Sequence, residues 1–270
     1  MFEPYYFSDG SLSELADMNR DRFRTADPFS HVVLDDFLPE WVLENVVAEF
    51  PQPDEVPWKR FDKTTSKKLA SEGDEFFGEF TRHLLAQFNS SVFLRFLERL
   101  TGIDGLVGDP YFEGGGLHQI ERGGFLKVHA DFNRHAKLRL DRRLNAIAYL
   151  NRDWQESYGG ALELWDRKMT HPVAEVLPVF NRFVVFATTD FAYHGHPEPL
   201  NCPPDRTRRS LALYYYTNGR PPEEHSSEHN TLYQRRPGER QGRARRAVER
   251  VTPPVLLDAA RHVQRRVHSR

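Results

Sequence analysis

Apolar residues in the first hundred positions recur mainly at helical spacing. Residues 31–36 form a short β-branched run, which predicts a strand near the start of the chain. The apolar positions of residues 41–50 predict a helix, because they lie three and four residues apart and two prolines follow them. The same spacing over residues 74–100 predicts one or two helices packed on an apolar surface. The charged stretch 51–72 between these elements predicts a loop.

The pattern changes between about residue 111 and residue 217. Short strand-like runs alternate with turns, and they occupy residues 116–120, 125–130, 144–150, 161–165, 183–187 and 210–217. Short strands without intervening helices are typical of an antiparallel sandwich or barrel. We therefore expect an N-terminal strand and helices over residues 1–110, a β-rich core over residues 111–217, and a C-terminal extension over residues 218–270 with a helix near residues 255–267.

Composition narrows the class of protein. The chain has 270 residues, of which 39% are hydrophobic, so it has material for a core in one or two domains. The single cysteine, Cys202, excludes an internal disulfide framework and a cysteine-rich zinc site. The sequence holds neither an apolar run of membrane-spanning length nor, in its first twenty residues, the pattern of a secretory signal. We expect a cytoplasmic protein that does not bind membranes.

Charge is unevenly distributed along the chain. The net charge is −2, yet residues 231–270 contain 11 arginines and only three acidic residues. A basic tail on an acidic body can bind nucleic acid, but a solvated helix face is the more common explanation. Aromatic residues do not interleave with these arginines, which argues against stacking on bases. We therefore expect no nucleic-acid partner.

Candidate metal ligands lie in the β-rich region. His129 and Asp131 stand two residues apart on a predicted strand, so both side chains face the same side. Alone, such a pair is a weak signal. His194 follows 63 residues later, and two imidazoles with one carboxylate form a facial triad that leaves three positions of octahedral Fe(II) open. A zinc site would instead be tetrahedral. His196 is the alternative to His194.

A candidate anion-binding pair follows the histidines. Arg208 and Ser210 share one face of the last predicted strand, and Arg209 points to the other. A guanidinium with a nearby hydroxyl suits a carboxylate, which it can bind through two hydrogen bonds. The alternative is that these arginines belong to a solvated turn after residues 203–205.

Together these residues resemble the Fe(II)/2-oxoglutarate-dependent dioxygenases, in particular their prolyl 4-hydroxylase-like branch. Residues 148–154 (AYLNRDW) with 159–162 (GGAL) resemble the "YLN-DW…GG-L" segment of the oxygen-sensing prolyl hydroxylases, and residues 178–186 (PVFNRFVVF) resemble their "P-F-R-L-FF" strand. In both, the distal histidine comes twelve residues after the arginine of that strand, which favours His194 over His196.

The resemblance implies a fold, a reaction and residue roles. The fold is mainly β with flanking helices (α+β), a double-stranded β-helix of the jelly-roll or cupin-like kind with an N-terminal helical buttress. His129, Asp131 and His194 would hold Fe(II), while Arg208 and Ser210 would bind 2-oxoglutarate. With O2, the enzyme would release succinate and CO2 and oxidise an unactivated C–H bond.

Three departures from the family pattern bear on the substrate. Gln119 stands ten residues before His129, where the oxygen-sensing enzymes carry a tyrosine that touches the oxoacid, so Gln119 is the expected residue of that pocket. Ala148 replaces a second tyrosine, and the 13 residues between His194 and Arg208 form a longer loop than theirs. The prolyl substrate class therefore does not carry over from the resemblance, and a single domain without a peptide-recognition module leads us to expect a small-molecule substrate. A peptidyl prolyl hydroxylase and, from another class, a non-catalytic or zinc-binding cupin-like module are the alternatives, and an intact oxoacid clamp argues against the latter.

Overall fold

The computed structural model describes residues 6–239, which form four helices, two single-turn 3-10 helices and thirteen strands. The helices are α1 (Asp9–Thr25), α2 (Glu40–Glu49), α3 (Glu79–Phe88) and α4 (Ser91–Thr101). The strands are β1 (His31–Leu34), β2 (Lys59–Lys63), β3 (Ser66–Ala70), β4 (Val107–Gly108), β5 (Gly116–Ile120), β6 (Phe125–Ala130), β7 (Asp141–Tyr149), β8 (Leu162–Trp165), β9 (Pro172–Val176), β10 (Phe183–Ala187), β11 (His194–His196), β12 (Arg208–Thr217) and β13 (Leu232–Tyr233).

The strands form one antiparallel sheet that folds into a nearly closed jelly roll. Its main path runs β1-β10-β7-β12-β5-β3-β6-β11-β8-β9, while β2, β4 and β13 pair at the sides. Neighbours in this order are often far apart in sequence: β11 lies between β6 and β8, and β13 also pairs with β6. The predicted fold class, a mainly β jelly roll with flanking helices, is confirmed.

The helices cover one face of the sheet. Helices α1 and α4 pack together, and they begin at the capping residues Ser8 and Ser90, whose hydroxyls accept backbone N–H groups. Buried residues from all four helices join the outward-facing residues of β5, β7, β10 and β12 in one apolar cluster. Because side chains alternate along a strand, the opposite face of these strands lines the interior of the jelly roll, where the polar candidate residues lie.

Several elements differ from the sequence predictions. The stretch 51–72 was expected to be a loop, but it contains the hairpin of β2 and β3. The residues of this hairpin that line the cavity include Lys59, Ser66 and Lys68, so its sequence lacks the apolar alternation of an ordinary strand. Helix α1 was not predicted either. The predicted strand at residues 31–36 and the helices at 41–50 and 74–100 are present as β1, α2, α3 and α4.

Internal contacts divide the chain into one unit over Met1–Arg235 and another over Arg236–Arg270. The expected boundaries at residues 110 and 217 both fall inside the first unit. In the second unit the structure describes only residues 236–239, where Arg236 pairs with Glu239. The helix expected at residues 255–267 lies outside the described residues. None of the helices within residues 6–239 combines the length and the apolar character needed to cross a bilayer.

Candidate functional site

Two histidines and one aspartate converge inside the jelly roll. His129 is on β6, Asp131 follows that strand, and His194 begins β11, directly opposite His129 in the strand register. The Nε2 atoms of His129 and His194 each lie 3.4 Å from an oxygen of Asp131. One ligand atom from each residue falls within 4.8 Å of the others, so the three can hold a metal ion together. The structure thus brings together the three residues that the sequence singled out.

Backbone contacts orient both imidazoles in the same way. Nδ1 of His129 lies 2.8 Å from the carbonyl oxygen of Lys127, and Nδ1 of His194 lies 2.9 Å from that of Ala192. A carbonyl oxygen only accepts, so Nδ1 carries the proton and donates it in each ring. Each Nε2 therefore presents a lone pair toward the carboxylate of Asp131. Nitrogen lone pairs facing carboxylate oxygens without a proton between them are suited to a cation.

The carboxylate of Asp131 is held from one side. Its Oδ2 atom accepts a hydrogen bond of 2.7 Å from Nδ2 of Asn145 and lies 3.2 Å from Nη2 of Arg142. Burial alone would raise the pKa of Asp131, but Arg142 and the two histidines hold that pKa well below its usual range. Asp131 is therefore an anion whose second oxygen, Oδ1, is left to face His129.

Burial has the opposite effect on the distal histidine. It lowers the pKa of His194 to about 4, since removing the ring from water disfavours the imidazolium form more than Asp131 favours it. The ring of Phe186 packs edge-on against His194 with centroids 4.7 Å apart. His194 is thus neutral near pH 7, which is the form that binds metals.

Arg208 points into the same interior from β12. Its side chain is 5% exposed, and it donates from Nε to the Gly160 carbonyl at 2.8 Å and from Nη2 to the Tyr149 hydroxyl at 3.2 Å. Within residues 6–239 no carboxylate pairs with it. A buried guanidinium without an anion is costly, so the site is ready for an anionic group of a ligand.

Gly160 is required at this contact. Its φ is +76°, and a Cβ atom there would lie 2.5 Å from Leu200 Cδ2 and 3.0 Å from Arg208 Cδ. A larger residue would displace the arginine. The Gly-Gly pair noted in the sequence therefore shapes the pocket around Arg208.

Ser210 and Gln119 lie on opposite faces of the sheet. Ser210 is buried beside Arg208 on the inner face, where it pairs in register with Tyr149 and His118. Gln119 faces the helices instead: its amide donates to the Pro51 carbonyl and accepts from Thr207, as well as from Arg209. The structure does not bring Gln119 to the other candidate residues.

His196 occupies a different position from His194. Both histidines of β11 are buried, yet His196 is not part of the converging metal-ligand group. Both of its ring nitrogens are buried without a hydrogen-bond partner in the described part of the chain. Burial and the neighbouring Arg208 lower its pKa well below the usual range, so the ring is neutral.

A cavity of about 310 Å³ opens beside the triad. Its lining includes His129 and Asp131, and it adds residues that the sequence reasoning did not select. Lys68 reaches it from β3, Arg142 and Tyr214 from β7 and β12, and Tyr233 from β13. The guanidinium of Arg142 lies 3.4 Å from the centroid of the Tyr214 ring.

Tyr149 lines the interior near Arg208, and the alternation of side chains along β7 is enough to predict this. Ala148 stands where the family carries a pocket tyrosine, but it lies in the apolar cluster under the helices. Its neighbour Tyr149 therefore points inward, where its hydroxyl accepts a hydrogen bond from Arg208.

Comparisons with known proteins agree with this arrangement. Residues 115–216 match the family model described as the 2OG-Fe(II) oxygenase superfamily. No curated protein matches the sequence. A solved prolyl-4-hydroxylase from Pseudomonas putida is 20% identical with a TM-score of 0.51, and the alignment covers 77% of this chain and 100% of that one.

Two further solved structures share the fold. SnoN, a non-heme alpha-ketoglutarate-dependent epimerase from nogalamycin biosynthesis, is 15% identical with a TM-score of 0.53 over 78% of this chain and 84% of its own. HygX from Streptomyces hygroscopicus, solved with nickel, 2-oxoglutarate and hygromycin B, is 12% identical with a TM-score of 0.50 over 79% and 96%. The β-rich core of this chain thus resembles the 2OG-Fe(II) oxygenase superfamily in sequence over residues 115–216 and in its jelly-roll fold, and His129, Asp131 and His194 could hold iron.

Proposed function

We propose that the protein is an Fe(II)- and 2-oxoglutarate-dependent oxygenase that hydroxylates or otherwise oxidises a C–H bond of a small molecule, releasing succinate and CO2. The observation that carries the proposal is the convergence of His129, Asp131 and His194, with both Nε2 lone pairs directed at one carboxylate. These three residues would hold the metal on one side and leave the remaining positions for ligands.

The second support is the unpaired cation. Arg208 would bind the distal carboxylate of 2-oxoglutarate, because it is buried on the inner face and lacks a carboxylate partner within residues 6–239. Tyr149 would assist through its hydroxyl, and Ser210 lies beside both in the strand register. A site that only stored metal would have no use for this cation.

The chain's own residues would position the reactants. When bound, the Fe(II) centre supplies the oxidising chemistry on O2. Asn145 and Arg142 hold Oδ2 of Asp131, which would keep the carboxylate oriented toward a metal held with the two histidines. The carbonyl groups of Lys127 and Ala192 keep the protons of both imidazoles on Nδ1, so that Nε2 stays available.

The cavity favours a small molecule over a peptide. Its volume of about 310 Å³ is near the lower end of small-molecule pockets, which range from roughly 300 to 1,000 Å³. The β2–β3 hairpin contributes Lys59 and Phe61 to one wall, and Thr231 and Tyr233 contribute to another. Among the proteins of similar fold, HygX was solved with hygromycin B, which is a small molecule, whereas a prolyl hydroxylase from Trichoplax adhaerens was solved with a peptide fragment.

The test is an anaerobic titration followed by a turnover assay. Adding Fe(II) and then 2-oxoglutarate without O2 should produce a visible metal-to-ligand charge-transfer band, and admitting O2 should release succinate. The Asp131→Ala variant should show neither signal. Tight binding of Zn(II), with neither a band nor succinate when Fe(II), 2-oxoglutarate and O2 are added to the metal-free protein, would instead support the metal-binding module and contradict the oxygenase.

A further inference from the structure

The cavity beside the triad contains a lysine that the proposed co-substrate site does not use. Ser66, Lys68 and Ala70 alternate along β3 and all line the cavity, whereas Lys67 between them is exposed on the other face. Lys68 is half-buried, and its ammonium group lies 5.4 Å from the centroid of the Phe61 ring. The position of this cation follows from the register of the strand.

Each carboxylate of the cavity wall is committed to another group. Glu72 pairs with Lys59 at the rim, Glu113 lies 3.0 Å from Nδ1 of His135, and Asp131 pairs with Arg142 and the metal-binding histidines. Within residues 6–239, Lys68 forms no ion pair. The wall therefore presents a positive charge that no side chain neutralises.

A second cation lines the same cavity. Arg142 is 1% exposed, its guanidinium lies 4.4 Å from the centroid of the Phe132 ring and 3.4 Å from that of Tyr214, and its Nη2 atom pairs with Asp131. Burial lowers the pKa of Lys68 to about 8, despite the opposing effect of Asp131, which shows that the surroundings of this ammonium group are poorly solvated.

Aromatic side chains make up part of the remaining wall, namely Phe61, Phe132, Tyr214 and Tyr233. Such side chains pack against an apolar or aromatic body, while a few polar groups fix its orientation. A carboxylate on that body would pair its charge with the ammonium group of Lys68 through a charge-assisted hydrogen bond.

We propose that the primary substrate carries a carboxylate on an apolar body, and that Lys68 binds this carboxylate beside the metal centre. The proposal rests on the proposed function, since it assigns the substrate class of that same cavity. The carboxylate is distinct from those of 2-oxoglutarate, which Arg208 would bind. Lys68 would thus select the substrate and set which C–H bond faces the metal.

The experiment measures binding without turnover. Protein loaded with Zn(II) and 2-oxoglutarate is titrated with phenylacetate, 3-phenylpropionate and N-acetylphenylalanine, each beside its uncharged amide, and with phenyl phosphate. Saturation-transfer NMR reports binding. The acids should bind and the amides should bind more weakly. Lys68→Met should weaken binding of the acids by about 10- to 100-fold, as expected for a charge-assisted contact, and leave the amides unchanged.

Two variants serve as controls. Lys67→Met removes a neighbouring charge from the same strand but from the exposed face, so it should leave acid binding as in the wild type. Lys68→Arg keeps the charge and should restore most of the affinity that Lys68→Met loses. The anaerobic Fe(II)–2-oxoglutarate band, recorded for each variant, shows that the protein is folded and that the co-substrate site is intact.

Four results would overturn the proposal. The acids could bind no more tightly than their amides, or fail to bind at millimolar concentration. Phenyl phosphate could bind more tightly than every acid, or Lys68→Met could weaken the binding of 2-oxoglutarate by the same factor as the binding of the acids. The last would assign Lys68 to the co-substrate. If the band forms in the wild type while the acids fail, only the substrate class is wrong. If the band does not form in the wild type, the proposed function itself fails.

Discussion

Replacing Arg208 by alanine should selectively destroy affinity for 2-oxoglutarate. The guanidinium is 5% exposed and is held by one carbonyl and one hydroxyl, so its charge stays unmatched until a carboxylate arrives. Removing one partner of a buried ion pair costs about 3–5 kcal/mol. At about 1.4 kcal/mol per decade, the dissociation constant for 2-oxoglutarate should rise by about a hundred- to several-thousand-fold. Arg208→Lys keeps the positive charge but lacks the two parallel N–H donors of the guanidinium, so it should give an intermediate loss of affinity for 2-oxoglutarate.

The assay is a titration of the Fe(II)-loaded protein with 2-oxoglutarate under anaerobic conditions, followed by its visible absorption band. Iron affinity is measured separately and should be unchanged, because Arg208 is not among the three converging ligands. The matched control is Arg209→Ala. Arg209 points to the helical side of the same strand, where it contacts Gln119 and Gln52, so its loss should barely affect the titration.

The reasoning would be refuted by either of two results. Wild-type affinity in Arg208→Ala would show that this arginine does not bind the oxoacid. A larger loss in Arg209→Ala than in Arg208→Ala would show that the inner and outer faces of β12 have been exchanged. Unfolding curves of both variants must match that of the wild type for the comparison to hold.

Three further predictions concern neighbouring residues. Asp131→Ala should abolish turnover and weaken Fe(II) binding, because it removes the only carboxylate of the proposed ligand set. Equilibrium dialysis with Fe(II) measures the loss of binding, and unchanged iron binding would contradict the assignment. His196→Ala should leave metal affinity intact in the same dialysis, whereas His194→Ala should lose it; the reverse pattern would exchange the two histidines. Gly160→Ala should lower the free energy of unfolding by about 1–3 kcal/mol and weaken 2-oxoglutarate binding, since the new Cβ meets Leu200 and strains a positive φ. Gly159→Ala is the control in urea unfolding. Gly159 also has a positive φ, but an added Cβ there would meet no atom within 4 Å, so this variant should keep its affinity for 2-oxoglutarate.

Local patterns predicted part of the site because part of it is local. Side chains alternate between the two faces of a strand, so His129 and Asp131 point to one face while Arg208 and Arg209 point to opposite faces. The position of His194 needed the family pattern, since its contact with His129 comes from the pairing of β11 with β6, which no local pattern reveals. The same holds for the jelly roll, whose neighbouring strands are distant in sequence.

Gln119 was expected near the oxoacid on the family pattern alone, because the oxygen-sensing enzymes carry a tyrosine ten residues before the first histidine. On β5, Gln119 stands opposite Arg209 in the register, and its side chain contacts Pro51, Thr207 and Arg209, so it lies on the face away from Ser210. Lys68 was missed for another reason: a strand that lines a polar cavity lacks apolar alternation and resembles a charged loop.

The cavity wall is assembled from three separate stretches of the chain. Only residues 115–216, which contain the triad and Arg208, correspond to the superfamily's shared sequence, whereas Lys68 comes from the preceding β2–β3 hairpin and Tyr233 from the following β13. Both outer segments nevertheless pair with the strand that carries His129, because β3 lies between β5 and β6 and Tyr233 stands opposite His129 in the register of β13 with β6. A single side chain of these segments that faces the cavity can change its lining while the backbone pairing stays in place. An insertion or deletion in the hairpin would instead shift its pairing with β6 and so disturb the metal site together with the cavity wall.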